Sequence, residues 1–173
     1  MDGRIEKIKH ELSLFSNKRK AKILARFFKT GKGEYGEGDK FLGITVPDSR
    51  KVAKKYSDIS LALVNDLLKS KFHEERLAAV LILVEKYKKA KEKEKKEICE
   101  FYLANKKNIN NWDLVDLSAP KILGDFLVNN RNKKLLIKLA SSKNLWEKRI
   151  AIISTFAFIY KRESEWKIGR AHV

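Results

Sequence analysis

Glu74-Glu75-Arg76-Leu77-Ala78-Ala79-Val80 lines up with Glu147-Lys148-Arg149-Ile150-Ala151-Ile152-Ile153, and the match extends to Tyr87 against Tyr160. The offset is 73 residues, and half of it falls on Trp112 and Asp113. A period of about 36 to 37 residues with two helices per period is the mark of an α-solenoid of HEAT type. No single repeat can bury its apolar face alone, so each stacks on its neighbours. The expected fold is all-α: a right-handed α-solenoid of HEAT-like helical repeats, about nine helices in all. In that register Arg76, Trp112/Asp113 and Arg149 occupy equivalent places and are expected to project towards one surface, the concave one that solenoids use for binding.

The rest of the chain agrees with helices. Apolar residues recur at helical spacing, Ser and Asn punctuate them, and no strand-type alternation is sustained. Helices are expected near 3–15, 18–29, 48–56, 60–69, 73–89, 92–105, 111–128, 132–141 and 145–161. Within 73–89, Leu77, Val80, Leu81 and Val84 make one apolar stripe. Glu85 to Glu100 interleaves Lys with Glu and reads as a solvated face with i,i+4 pairs. Pro120 falls inside a helix, where it removes a hydrogen bond and is expected to kink it. Pro47 sits at a helix start. The long loop-like segment is Thr30 to Gly43, TGKGEYGEGDKFLG. Its Gly31-Lys32-Gly33 lacks the full frame of a phosphate loop and any preceding strand.

Composition narrows the function classes. The chain has 173 residues, of which 43% are hydrophobic and 35% charged, enough for one globular domain and too apolar for disorder. No apolar run is long enough to span a membrane, and Met1 to Lys9 does not read as a secretory leader. Cys99 is the single cysteine, so there is no internal disulfide and no cysteine metal cluster. His10, His73 and His172 are scattered without metal-ligand spacing, and no metal or cofactor is expected. A cytoplasmic monomer is the expectation. Lys and Arg total 39 against 22 acidic residues, a net charge of +17. Such an excess destabilises the compact state by self-repulsion unless the partner is polyanionic. Nucleic acid leads, an anionic membrane surface comes second, and a merely solubilising Lys-rich surface is the plain alternative.

The local feature with chemistry in it is Asn110-Asn111-Trp112-Asp113-Leu114-Val115-Asp116. Asn110 or Asn111 suits a helix N-cap, and Asp113 in the first turn suits the helix dipole. Trp112 and Asp116 are four apart and share a helix face. An aromatic beside a carboxylate can hold a cation, either a positively charged purine or the oxocarbenium-like sugar formed as a glycosidic bond breaks. The competing reading has Trp112 in the core and both aspartates capping or solvated. Arg149 suits a phosphate clamp or an ion pair with an Asp of the neighbouring repeat. Trp146, in the first turn of its helix, reads as packing, and His73 as a helix-start residue. The candidate DNA-contacting residues are Arg149, Lys148, Arg76 and Asp113; the candidate catalytic pair is Asp116 with Trp112.

Five segments together resemble one family: Tyr35 to Ile44, Val46 to Lys51, His73 to Ala78, Asn111 to Asp116 and Leu145 to Ala151. In order and spacing the chain resembles the DNA alkylation repair enzymes of the AlkD-like HEAT-repeat glycosylase superfamily, from about residue 5 to about 165. The resemblance implies a monofunctional N-glycosylase that removes positively charged N3- and N7-alkylated purines from duplex DNA, held on the concave face without a lesion pocket. It matches Asp116 to the catalytic carboxylate, Trp112 to the aromatic against the lesion's sugar-phosphate backbone and Arg149 to the arginine near the lesion phosphate. The family's second aromatic on a later helix has no counterpart here. Residues 168–173 match a sequencing-adapter read once back-translated, so residues 1–167 are expected to be an incomplete domain and 168–173 a non-native tail. A non-catalytic HEAT-repeat scaffold that binds DNA or protein is the alternative to the enzyme.

Overall fold

The computed structural model describes residues 3–130 and 133–165, and the tail 168–173 lies outside them. Eleven α-helices run in order: α1 (Arg4–Ser13), α2 (Lys18–Phe27), α3 (Val46–Lys55), α4 (Leu61–Leu68), α5 (His73–Lys89), α6 (Glu92–Ala104), α7 (Trp112–Ser118), α8 (Asp125–Asn130), α9 (Lys133–Ala140), α10 (Leu145–Ser154) and α11 (Phe156–Glu165). A 3₁₀ turn, Lys106–Asn108, precedes α7. The described residues contain no strand, only an isolated parallel bridge between Lys40 and Phe72.

Local chemistry sets most of the helix starts. Asn17, Thr45 and Ser60 each accept a hydrogen bond from a backbone N–H one turn on. The Asn111 side chain takes the Trp112 N–H, and that of Asn144 takes the Trp146 and Glu147 N–H groups. These caps satisfy donors that no intrahelical carbonyl can reach.

The helices stack in chain order, as a solenoid of repeats requires: α5 packs on α3, α7 on α5, and α10 on α7. The helices α4, α6 and α9 back this row from behind, α4 on α5 and α9 on α10. Because α5 lies between neighbours, it is apolar well beyond one stripe. Thirteen of its seventeen residues are buried, including Ala78, Ala79, Ile82 and Leu83 off the expected line. The Lys/Glu tract carries an i,i+4 pair, Lys96–Glu100 at 3.9 Å, and also an i,i+3 pair, Lys88–Glu85 at 2.6 Å.

Two expected helices are interrupted. The helix from Trp112 widens at Pro120 into a π-helical turn, Pro120–Gly124, before continuing as α8. Pro120 has no N–H to close the preceding turn, and the Gly124 N–H reaches back five residues to the Ala119 carbonyl at 2.8 Å. Gly124 also lets the next repeat approach, since a Cβ there would lie 2.8 Å from that of Ala157. The helix expected over 145–161 breaks at Thr155, whose N–H and hydroxyl both return to the Ile152 carbonyl, at 3.0 and 2.6 Å. That tighter local bonding ends α10 and starts α11.

Candidate functional site

Trp112 and Asp116 stand one turn apart at the start of α7. Asp116 meets Arg149 of α10, one repeat on, in a two-pronged ion pair: Nε to Oδ1 at 2.8 Å and the terminal nitrogen to Oδ2 at 2.6 Å. Such fork-to-fork geometry fixes both planes. The hydrogen bonds to Asp116 outweigh partial burial and hold the Arg149 guanidinium above its usual pKa. Both side chains remain about a third exposed, 32% for Asp116 and 37% for Arg149.

The pair separates two depressions. A groove of about 470 Å³ is walled by Tyr35, Trp112, Trp146 and Arg149, with Lys148 at its edge. A wider one of about 750 Å³ is lined by Asp116, Pro120, Lys121, Lys88 and Tyr160. Cations crowd its border. Burial lowers the Lys121 pKa, and repulsion from Arg50 and Lys88 lowers it further. A polyanion laid there relieves that repulsion.

Trp112 is braced from behind. Its ring stacks on Phe28 (centroids 5.2 Å apart, planes 13° apart), and the edge of Phe27 meets it at 6.0 Å. Phe28 stacks on Phe41 at 5.0 Å, and Phe41 on the His73 imidazole at 4.6 Å. An indole held by such stacking presents a fixed face.

The remaining predicted residues lie elsewhere. Arg76 and Asp113 are each 5% exposed. The expectation that they project to one surface with Trp112 and Arg149 is therefore corrected: both side chains are buried, with only about 6% of each exposed. The Thr30 to Gly43 loop covers the start of α5, so Arg76 turns to Asp39 (2.7 Å) and to the Ser70 carbonyl (2.9 Å). Asp113 lies on another side of α7 from Trp112 and Asp116 and meets His73 Nε2 at 2.8 Å. The other imidazole nitrogen faces Asp39 at 3.3 Å, and the Asn111 amide donates to the same carboxylate at 3.2 Å. His73 is a helix-start residue, as its position implied, and also the centre of a buried network joining loop, α5 and α7.

Two carboxylates and Arg76 leave this network one negative charge in excess unless the imidazole is protonated. Burial opposes that charge, but hydrogen bonds to Asp113 and Asp39 prevail and raise the His73 pKa. Burial likewise pushes Asp39 up, and its bonds with His73, Arg76 and Asn111 bring it below its usual value. A second buried carboxylate, Glu74, accepts the backbone N–H groups of Leu42, Gly43 and Ile44 at 2.9, 2.8 and 3.2 Å. Gly43 has φ +83°, and a Cβ there would collide with the Asn17 carbonyl oxygen. The loop is thus tied down through Asp39 and again through residues 42–44.

Sequence reasoning assigned no role to Tyr35, Asp39 or Glu74, although all three lie in segments singled out above. Their partners are about 30 to 110 residues away, and no local pattern reports such pairings. Cys99 is buried, which pushes its thiol pKa up to about 12 and leaves it a poor nucleophile. Among the described residues there is no group of three potential metal ligands, and no helix long and apolar enough to cross a membrane. No curated protein and no solved structure matches the chain. A family model described as DNA alkylation repair enzyme matches residues 8–168.

Proposed function

Since the chain belongs to the DNA alkylation repair enzyme family, we propose that it is a monofunctional N-glycosylase that excises positively charged N3- or N7-alkylated purines from duplex DNA. The observation that carries this reading is the Asp116 carboxylate. It is oriented by Arg149, one turn from a braced indole, at the margin of a cation-lined depression. A carboxylate on a phosphate-binding face opposes DNA affinity, so its presence there calls for a chemical task.

An alkylated purine already carries positive charge and leaves as a neutral base when the C1′–N bond electrons return to it. Little acid catalysis is required, and the work is electrostatic and positional. Asp116 stabilises the cationic sugar that develops and orients the attacking water, whose oxygen bonds to C1′ while its proton passes to the carboxylate or to solvent. The two bonds from Arg149 hold the carboxylate in one orientation and still leave lone pairs for the sugar and the water. Trp112 packs against the sugar-phosphate backbone at the lesion, while Arg149 and Lys148 meet phosphate oxygens. No metal or cofactor enters this scheme, and one chain suffices.

Release of alkylated purines from methylated duplex DNA is the test, run on the chain and on Asp116→Asn. Loss of one electrostatic stabiliser is expected to slow release by roughly 10²- to 10³-fold. Binding to unmodified duplex should fall steeply with salt as counterions are released. Steep salt dependence without release from either protein would identify a non-catalytic DNA-binding relative. Absence of DNA binding would leave a protein-interaction scaffold.

A further inference from the structure

The loop between α2 and α3 is long for a connection in a compact domain. Ordering it is costly, roughly 1–2 kcal/mol of backbone entropy per residue. It is nevertheless closely specified. Gly36 lies against the end of α2, where a Cβ would strike the Phe28 carbonyl oxygen, and its N–H donates to the Lys29 carbonyl at 3.1 Å. Glu34 and Glu37 accept from the N–H groups of Gly31 and Gly33 at 2.7 and 2.9 Å. Asp39 and the bonds from Glu74 to residues 42–44 then anchor the segment to α5.

This ordering presents one aromatic. Tyr35 is 39% exposed, and its ring meets Trp146 edge-on at 5.9 Å. It lines the same groove as Trp112 and Arg149. Its hydroxyl makes no hydrogen bond among the described residues, whereas the two buried tyrosines have one each, Tyr87 with Asp125 and Tyr102 with Ser118. A rigid amphipathic ring with a free donor, beside a guanidinium and a lysine, has the parts for contact with a nucleotide: a face for base or sugar and an O–H for phosphate.

We propose that Tyr35 is a further substrate-contacting residue, walling the groove so that the lesion-bearing nucleotide sits between its ring and Trp112, with its hydroxyl donating to a phosphate oxygen there. Asp39 is then a positioning residue, acting through the loop. The inference rests on the DNA-repair reading above.

The test measures binding of a fluorescent duplex with one N7-methylguanine, beside the same duplex unmodified, at one fixed salt concentration. All proteins carry Asp116→Asn, so that base release does not confuse the comparison. Adding Tyr35→Ala should weaken binding to the lesion duplex by about 5- to 100-fold, the range for losing one stacked base contact. Adding Tyr35→Phe should weaken it by about 2- to 10-fold, the range for one hydrogen bond. The unmodified duplex should be affected less, and Tyr35→Phe, which keeps the ring against Trp146, should leave thermal melts unchanged. Equal affinity of Tyr35→Ala and its parent for the lesion duplex would overturn the inference and leave the DNA-repair reading intact. Absence of duplex binding by the parent and by the unsubstituted chain would overturn both.

Discussion

Asp113→Asn probes the buried network without changing its shape. The substitution removes one of the two carboxylates that face His73, the one 2.8 Å from Nε2. The groups around the imidazole are Asp39 from the loop, Arg76 on its own helix and Asp113 from α7, and His73 itself is 1% exposed. The charges balance only when the ring is protonated. Losing a charge-assisted hydrogen bond in such a setting costs about 1.5–3 kcal/mol. For a chain of this length, each kcal/mol moves the melting temperature by roughly 2–4 °C, so a drop of about 3–12 °C is expected. The pH dependence carries the argument. The folded pKa of His73 is raised, so its stabilising contribution is complete below the unfolded value near 6.5 and is lost as pH rises through the folded value. In the variant the amide can donate to a neutral Nε2 while the Nδ1–H goes to Asp39, so the cost falls on the protonated form. Thermal melts of both proteins across a pH series should show a gap that is full below about pH 6.5 and narrows as pH rises through the folded value. A gap that instead widens with rising pH would refute a protonated His73 as the centre of the network.

Three further outcomes follow from the same structure. Gly43→Ala should lower the denaturant midpoint by the equivalent of at least about 2 kcal/mol, with an unchanged slope, because φ +83° and the Asn17 carbonyl both exclude a methyl group; a midpoint within error of the parent would contradict the close approach. Glu74→Gln should cost about 1.5–3 kcal/mol and speed hydrogen exchange at the amides of Leu42, Gly43 and Ile44, which all donate to that carboxylate; unchanged exchange there would show that the loop is held by something else. Arg149→Lys should cut the rate of base release by about tenfold or more while leaving the melting temperature nearly unaffected, because the exposed pair contributes orientation rather than stability; full activity would remove the fork geometry from the mechanism.

The extent to which the site could be read from the chain varied with the range of the interaction. Trp112 and Asp116 could be placed together because i,i+4 spacing is a property of any helix. Arg149 had two readings, phosphate clamp or ion pair with an Asp of the neighbouring repeat, and the structure contains the ion pair, with Asp116 as that partner. For Arg76 and Asp113 the repeat register supplied the helix and its start but not the covering. The register treats every repeat alike, whereas the Thr30 to Gly43 loop covers the start of α5 and draws both residues into its anchorage.

Helix content, caps, repeat period and net charge were determined by the sequence itself, because each is a sum of short-range terms: backbone propensity, apolar periodicity, side-chain bonds to nearby N–H groups and a count of charges. Tertiary structure alone decided which charged residues are core and which are surface, that Pro120 is absorbed by a π turn, that Thr155 ends a helix, and that Tyr35 stands in the groove. The burial of Arg76 and Asp113 depends on the energy of enclosing a polar group beside a partner distant in the chain, and that energy is defined only once folding has brought the two together.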